Sequence, residues 1–193
     1  MGIGYACAVI PQEGLRTDRL LLRSWRDSDL ATFAAMNADP RVSEFLPALP
    51  SRAQSDALAQ GIRRHLERHG FGMWAVEARG RADFIGYTGL ANPGWGGPRP
   101  GCVEIGWRLA AEHWGQGYAT EAAWVALRFG FEVLRLDEIL AWTVPSNRRS
   151  RRVMEKIGMR HDAAGDFDHP ALPEGDRLRR HVLYFLRREA FHR

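Results

Sequence analysis

Apolar positions change their spacing several times along the chain, and each change predicts a change of element. Residues 19–25 (RLLLRSW) make a short run with strand character, and Asp27, Ser28 and Asp29 then offer N-caps for a helix over about residues 30–37. From Ser51, a further candidate cap, the spacing becomes three and four. Ala53, Ala57, Leu58, Ile62 and Leu66 fall on one stripe of a helix expected to end near Gly70. Three strand-like runs follow at residues 72–77, 83–90 and 102–109. A turn at Arg79-Gly80-Arg81 joins the first two, and a Pro/Gly-rich segment, residues 92–101, joins the last two, which predicts an antiparallel meander.

Helical spacing resumes after Gly115 and Gly117 and continues to Leu134. Ala119, Ala122 or Ala123, Ala126 and Gly130 make one side narrow enough to lie close on a sheet, with Trp124, Leu127 and Phe131 on the flanks. Residues 137–144 read as a returning strand, so strand, helix and strand form a crossover between parallel neighbours. Pro145 stops that strand, Ser146 or Asn147 caps a short helix through Lys156, and Gly158 ends it. Residues 159–167 and 178–186 are expected to close the sheet as a pair of strands. The pattern describes an α+β domain with a mixed, mostly antiparallel sheet, occupying residues 15–193 behind a loose leader, residues 1–14, that contains Gly2, Gly4, Pro11 and Gly14.

Composition narrows the class. The 193 residues suit one domain, 45% are hydrophobic, and no apolar run approaches the roughly 20 residues of a membrane helix. Residues 1–10 lack the basic start and cleavage site of a secretory signal, and Cys7 and Cys102 lie far apart, so a reducing, cytoplasmic setting is expected, as monomer or homodimer. The net charge is +4, and of the 27 basic residues only Lys156 is a lysine. Arg148, Arg149, Arg151 and Arg152 cluster, yet no aromatic-rich RNA motif or zinc finger accompanies them, and nucleic acid stays a secondary reading. His65 and His69 have a metal-compatible spacing. The zinc-protease motif wants Glu directly after its first His, where Leu66 stands, so a solvated helix face without metal is expected.

Residues 112–122 (EHWGQGYATEA) carry the chemistry. A glycine turn entering a helix leaves backbone N–H groups unpaired at the positive end of the helix dipole, where a pyrophosphate can bind without a cationic side chain. The mononucleotide loop would need Lys then Ser or Thr after its last glycine, but Tyr118 and Ala119 follow Gly117. The dinucleotide fingerprint would need Gly or Ala at position 120, where Thr120 stands. Asp137, about twenty residues on, opens the next strand where that fingerprint's acid closes it.

The run WGQGYATEA (residues 114–122) resembles the coenzyme A loop of the GNAT N-acetyltransferase superfamily, in which Gln/Arg-x-x-Gly-x-Gly/Ala closes over the pyrophosphate. Gly117 and Ala119 keep the two small positions. Trp114 replaces the Gln or Arg, in the form used by the branch that contains the RimJ/RimL ribosomal-protein N-terminal acetyltransferases. A second segment, NRRSRRVMEKIGM (residues 147–159), resembles the Asn-x-x-Ser/Ala stretch that follows the fifth GNAT strand. The opening Leu-x-x-x-Arg-Leu-x-Leu-Arg and the Glu-Ile-Gly strand extend the likeness over most of residues 15–188.

The resemblance implies the GNAT fold, with a splayed strand pair holding acetyl-CoA. In it, the backbone of Gly115, Gln116, Gly117, Tyr118, Ala119 and Thr120 would hold the pyrophosphate, and main-chain groups of Trp107, Arg108 and Leu109 would meet the pantetheine arm. Asn147 and Ser150 lie three apart, on one face of the short helix. They cap it, hold the cofactor, or, for Ser150, protonate the leaving thiolate. Many GNAT enzymes use a Tyr four residues beyond that position; Met154 stands here, which leaves Ser150 or a water as the acid. Glu104 is the candidate base, raised towards neutrality by apolar neighbours, against the alternative of an edge carboxylate facing solvent. Glu121 is expected to point sideways, bracing the loop or lining the acceptor groove. Cys102 has no evident His partner, so direct transfer in a ternary complex is expected over a covalent acyl-enzyme. The acceptor amine is a protein N-terminus or a small amine such as a polyamine, amino acid or antibiotic, selected by residues 45–69, 92–101 and 166–177. Rival readings are a nucleotide-cofactor oxidoreductase, which would need more than one crossover, a non-catalytic acyl-CoA-binding regulator, and an RNA-binding module.

Overall fold

The computed structural model describes residues 14–47, 49 and 51–192, so the expected leader lies outside them except for Gly14. Along the chain come β1 (Leu15–Arg16), β2 (Leu20–Arg23), α1 (Asp29–Ala38), α2 (Pro40–Ser43), α3 (Arg52–His69), β3 (Met73–Ala78), β4 (Ala82–Ala91) and β5 (Glu104–Leu109). They are followed by α4 (Tyr118–Arg128), β6 (Glu138–Thr143), α5 (Arg148–Lys156), β7 (Arg160–His161), β8 (Phe167–Asp168) and β9 (Arg180–Arg187). The sheet runs β1-β2-β3-β4-β5-β6-β9-β7, with β8 also paired to β9. Every pairing is antiparallel except β5 with β6, the two strands that α4 connects. The meander and the single crossover match the sequence reading.

β5 and β6 meet at one register, Glu104 opposite Leu140, where the Leu140 N–H donates to the Val103 carbonyl at 3.0 Å. Past that point they share no ladder, and the sheet opens. β5 pairs with β4 along the whole length of β5, Glu104–Leu109, so the opening has one rigid wall.

Several elements form by means other than those expected. Ser28 stands at the N-cap of α1 without a side-chain cap bond. Asp29 is buried instead, receiving both Arg23 Nη atoms at 2.8 and 2.9 Å and the Arg26 N–H at 2.8 Å, which ties β2 to α1. Ser51 does cap α3, in a reciprocal capping box with Gln54, and Gly70 ends the helix at φ 69°. The buried stripe of α3 is Ser55, Ala59, Ile62 and Leu66, while Ala53 and Ala57 are exposed. A serine can sit inside because its Oγ accepts the Asn37 amide at 2.9 Å.

α4 gives way at Phe129–Val133 to a wider π-type turn. A Cβ at Gly130 would lie 2.7 Å from Ile139 Cδ1 and 2.9 Å from Leu90 Cδ1, so any larger residue there would have to displace those core side chains. The closing strands are unequal: β9 has eight residues, and residues 159–167 supply only the short β7 and the start of β8. Among the described residues no helix is long and apolar enough to cross a membrane.

Candidate active site

A cavity of about 510 Å³ lies at the gap between β5 and β6. The alternation of β5 decides what reaches it. The Val103 carbonyl points to β6, the Leu109 carbonyl accepts the Trp114 Nε1–H at 2.8 Å, and the Ala110 N–H donates to Ile85 of β4 at 2.9 Å. Odd-numbered main-chain groups therefore face the gap and even-numbered ones serve β4. Among the described residues this alternation leaves the Trp107 N–H and carbonyl and the Leu109 N–H facing the gap without a ladder partner, while the main chain of Arg108 is committed to β4.

Gly115 and Gly117 adopt φ values of 74° and 82°, in the left-handed region that favours glycine. The first intrahelical bond of α4 runs from the Glu121 N–H to the Gly117 carbonyl at 3.0 Å, so the N–H groups of Tyr118, Ala119 and Thr120 have no helical partner. Gly115, Gly117, Tyr118, Ala119 and Thr120 all border the cavity. Gln116 does not: its Nε2 donates to the Glu112 carbonyl at 3.0 Å, and its own carbonyl accepts from Arg19 at 2.9 Å.

Glu121 braces the loop, as expected, but through partners about a hundred residues away that no local pattern indicates. Arg19 donates to Glu121 at 2.7 Å, lies 4.7 Å from the Tyr118 ring centroid, and shares Glu121 with the Thr17 hydroxyl. Burial pushes the Glu121 carboxyl up, but the hydrogen bonds from Thr17 and Arg19 outweigh it and hold the group below its ordinary value. Glu121 thus points sideways, off the cavity wall, with its charge matched. Replacing it by Ala should weaken acetyl-CoA binding several-fold, roughly 3- to 10-fold, and lower the melting temperature, although no cavity residue is changed. Calorimetry beside a thermal melt checks this, and an unchanged affinity would mean that the loop holds its own shape.

Asn147 caps α5. Its Oδ1 accepts the Ser150 N–H at 3.1 Å and its Nδ2 donates to Thr143 Oγ1 at 3.0 Å, and it borders the cavity with a second amide N–H still available. The Ser150 hydroxyl, on the cavity wall, has no hydrogen-bond partner among the described residues. Met154 also borders the cavity and is buried at 2% exposure. Glu104 lies where the strand gap begins, half-buried against the cavity, and burial pushes its carboxyl up to about 7. It is not a solvent-facing edge residue. Burial raises the Cys102 thiol as well, which disfavours a thiolate nucleophile there.

The cavity wall is strongly basic. Arg41, Arg108, Arg149, Arg152 and Lys156 contribute to it, and among the described residues Glu104 is its sole carboxylate. Arg149 lies over Trp114, 4.5 Å from a ring centroid, and pairs with Glu44 at 2.6 Å. Arg151 turns elsewhere, to Tyr184 and the Pro145 carbonyl. The arginine cluster of residues 148–152 is thus divided among separate tasks instead of forming one patch.

Of the segments expected to select the acceptor, residues 45–69 contribute Phe45 and Leu46 to the cavity while α3 does not reach it. Trp95, Phe167 and His169, from the other two segments, stand behind the cavity residues Trp142 and His181 in one aromatic cluster. His65 and His69 depart from the solvated face expected of them. Their rings lie 4.4 Å apart, with His65 edge-on to Phe71, and burial with the nearby His69 and Arg68 charges holds His65 at about 4. Among the described residues no group of three or more His, Cys, Asp or Glu is placed to hold a metal.

The profile of the family described as "Acetyltransferase (GNAT) domain" matches residues 19–160. The chain belongs to the GNAT acetyltransferase family. As a GNAT chain it is similar to the uncharacterized protein YkkB of Bacillus subtilis, 34% identical over 148 residues that span 76% of this chain and 85% of that one. A GNAT-family acetyltransferase from Bacillus anthracis superposes with a TM-score of 0.74 at 27% identity, covering 91% of this chain and 98% of its own. Mycobacterium smegmatis RimJ in complex with CoA-disulfide gives a TM-score of 0.70 over 88% of this chain and 82% of its own. At 22% identity that likeness is one of fold. The GNAT sheet, the splayed strands and the glycine-led helix expected from the sequence are those of the family.

Proposed function

We propose that the chain moves an acetyl group from acetyl-CoA directly to a primary amine, a protein N-terminus or a small molecule, within a ternary complex. The observation that carries this is that unpaired N–H groups at the start of α4 and a carboxyl poised near 7 border one cavity, joined by the strand gap. The N–H groups of Tyr118, Ala119 and Thr120 suit the pyrophosphate, and Arg149, Arg152 and Lys156 suit phosphate charge nearby. The free Trp107 main chain suits the pantetheine arm and the thioester carbonyl.

In this reading the ionised Glu104 takes a proton from the attacking ammonium, directly or through water. The freed amine nitrogen bonds to the thioester carbon, the carbon–sulfur bond breaks, the leaving thiolate takes a proton from the Ser150 hydroxyl or a water, and the nitrogen gives its second proton back to that oxygen as the amide forms. Purified protein should release coenzyme A thiol from acetyl-CoA when offered members of an amine panel. Saturable binding without thiol release on any amine would point to the regulator reading instead. Ser150→Ala should lower kcat by roughly 10- to 100-fold with KM for acetyl-CoA within about twofold, measured by the same thiol release. An unchanged kcat would assign the acid to water.

A further inference from the structure

Resting on that acetyltransfer reading, we infer that the acceptor is a primary amine that also carries a carboxylate, and that Arg108 binds this second group. In β5 the side chains of Glu104, Gly106 and Arg108 share one face, opposite to that of Trp107. The face is the one that meets the end of α1, because Arg108 Nη1 donates to Asn37 Oδ1 at 2.6 Å. The cofactor loop belongs with α4, so Arg108 and Glu104 both look into the other half of the cavity.

Arg108 is positioned as a ligand-binding cation. Its guanidinium lies 5.5 Å from the centroid of Tyr87, its cross-strand neighbour. Asn37, which aims an oxygen at it, is locked by the Ser55 hydroxyl at 2.9 Å, and both are nearly inaccessible, at 4% and 1% exposure. Yet among the described residues no carboxylate pairs with Arg108, and its Nε is buried without a hydrogen-bond partner. The contrast with Arg23 is direct: that buried arginine has both Asp29 and Glu77. A half-buried cation with open donors in a cavity favours an anion, and a planar fork favours a carboxylate.

Glu104 cannot supply that carboxylate. Four residues along one strand separate the Cα atoms by about 13 Å, too far for an ion pair. The same spacing sets the ligand's size: an amine at Glu104 and a carboxylate at Arg108 stand on the order of 10 Å apart. That fits an ω-amino acid of about eight carbons, or a tripeptide with a free carboxyl end. A polyamine would instead bring a second ammonium against the guanidinium.

Three probes test this with the full chain: ω-aminooctanoate, its amide, and octanediamine. Thiol release from acetyl-CoA and calorimetric binding to the coenzyme A complex are measured for each. Wild type should favour the carboxylate over the amide by at least about tenfold in kcat/KM and in affinity, with the diamine weakest. Arg108→Met should bring the carboxylate-to-amide ratio to about one and Arg108→Lys should keep part of it, while acetyl-CoA affinity stays within about threefold. Equal use of carboxylate and amide by wild type, or a preference that survives in Arg108→Met, overturns the assignment of Arg108. The wild-type comparison decides even if a variant fails to fold. Absence of acetyl-CoA binding would instead overturn the acetyltransfer reading itself, and binding to the coenzyme A complex separates the two when turnover is slow.

Discussion

Glu104→Gln is expected to cut kcat at pH 7 by roughly 100-fold or more while making the folded protein more stable. Both effects follow from a carboxyl that burial pushes up to about 7. In the wild type the activity profile should rise through that value as the base ionises; in the variant the limb should vanish. Its rate should depend only on the amine's own neutral fraction, so the penalty shrinks at higher pH. A loss that is the same at every pH would make Glu104 a positioning residue.

The stability effect has a definite sign. A carboxyl whose folded value lies above its unfolded value of about 4.5 is neutral in both states at low pH and costs nothing there. As pH rises through 4.5 towards 7, the unfolded chain ionises freely and the folded one resists, so the wild type loses stability. Above 7 the cost reaches about 3 kcal/mol, and glutamine avoids it. Melting curves of the two proteins should coincide near pH 4 and separate by pH 8, with the variant higher. Coincidence at pH 8 would show that Glu104 is solvated.

Gly117→Val is expected to weaken acetyl-CoA affinity by an order of magnitude or more with the fold preserved. At φ 82° a β-branched side chain is strained, and the backbone can relieve that strain only by turning the N–H groups of the next residues. Steric conflict is minor, since a Cβ there meets only the Arg19 guanidinium at 3.4 Å. Gly80→Val is the matched control. It has φ 70°, lies in the β3–β4 turn, and a Cβ there meets nothing within 4 Å. It should lose comparable stability and leave acetyl-CoA affinity unchanged. Equal affinity losses in both variants would refer the effect to general strain.

The sequence made the order of elements and the glycine-led helix legible because these depend on neighbours: apolar spacing, caps, and two positive φ angles. What it could not show was long-range compensation. Ala53 and Ala57 looked like core because they are apolar, while Ser55 took the buried place through Asn37. Asp29 looked like a cap because it precedes a helix, and its partner Arg23 is fixed by the sheet. Arg19 stands in the opening motif, but nothing local to it or to Thr17 indicated that the two shape the phosphate loop from across the fold. Arg108 sat in a motif for its backbone, and its side chain proves to belong to the other half of the cavity.

Calorimetric titration of the wild-type chain with acetyl-CoA tests the whole account most directly. It should show saturable binding of one molecule per chain, weakened in Gly117→Val and retained in Gly80→Val. No saturable heat at two well-separated temperatures would contradict the backbone cradle, and with it every role assigned around the cavity.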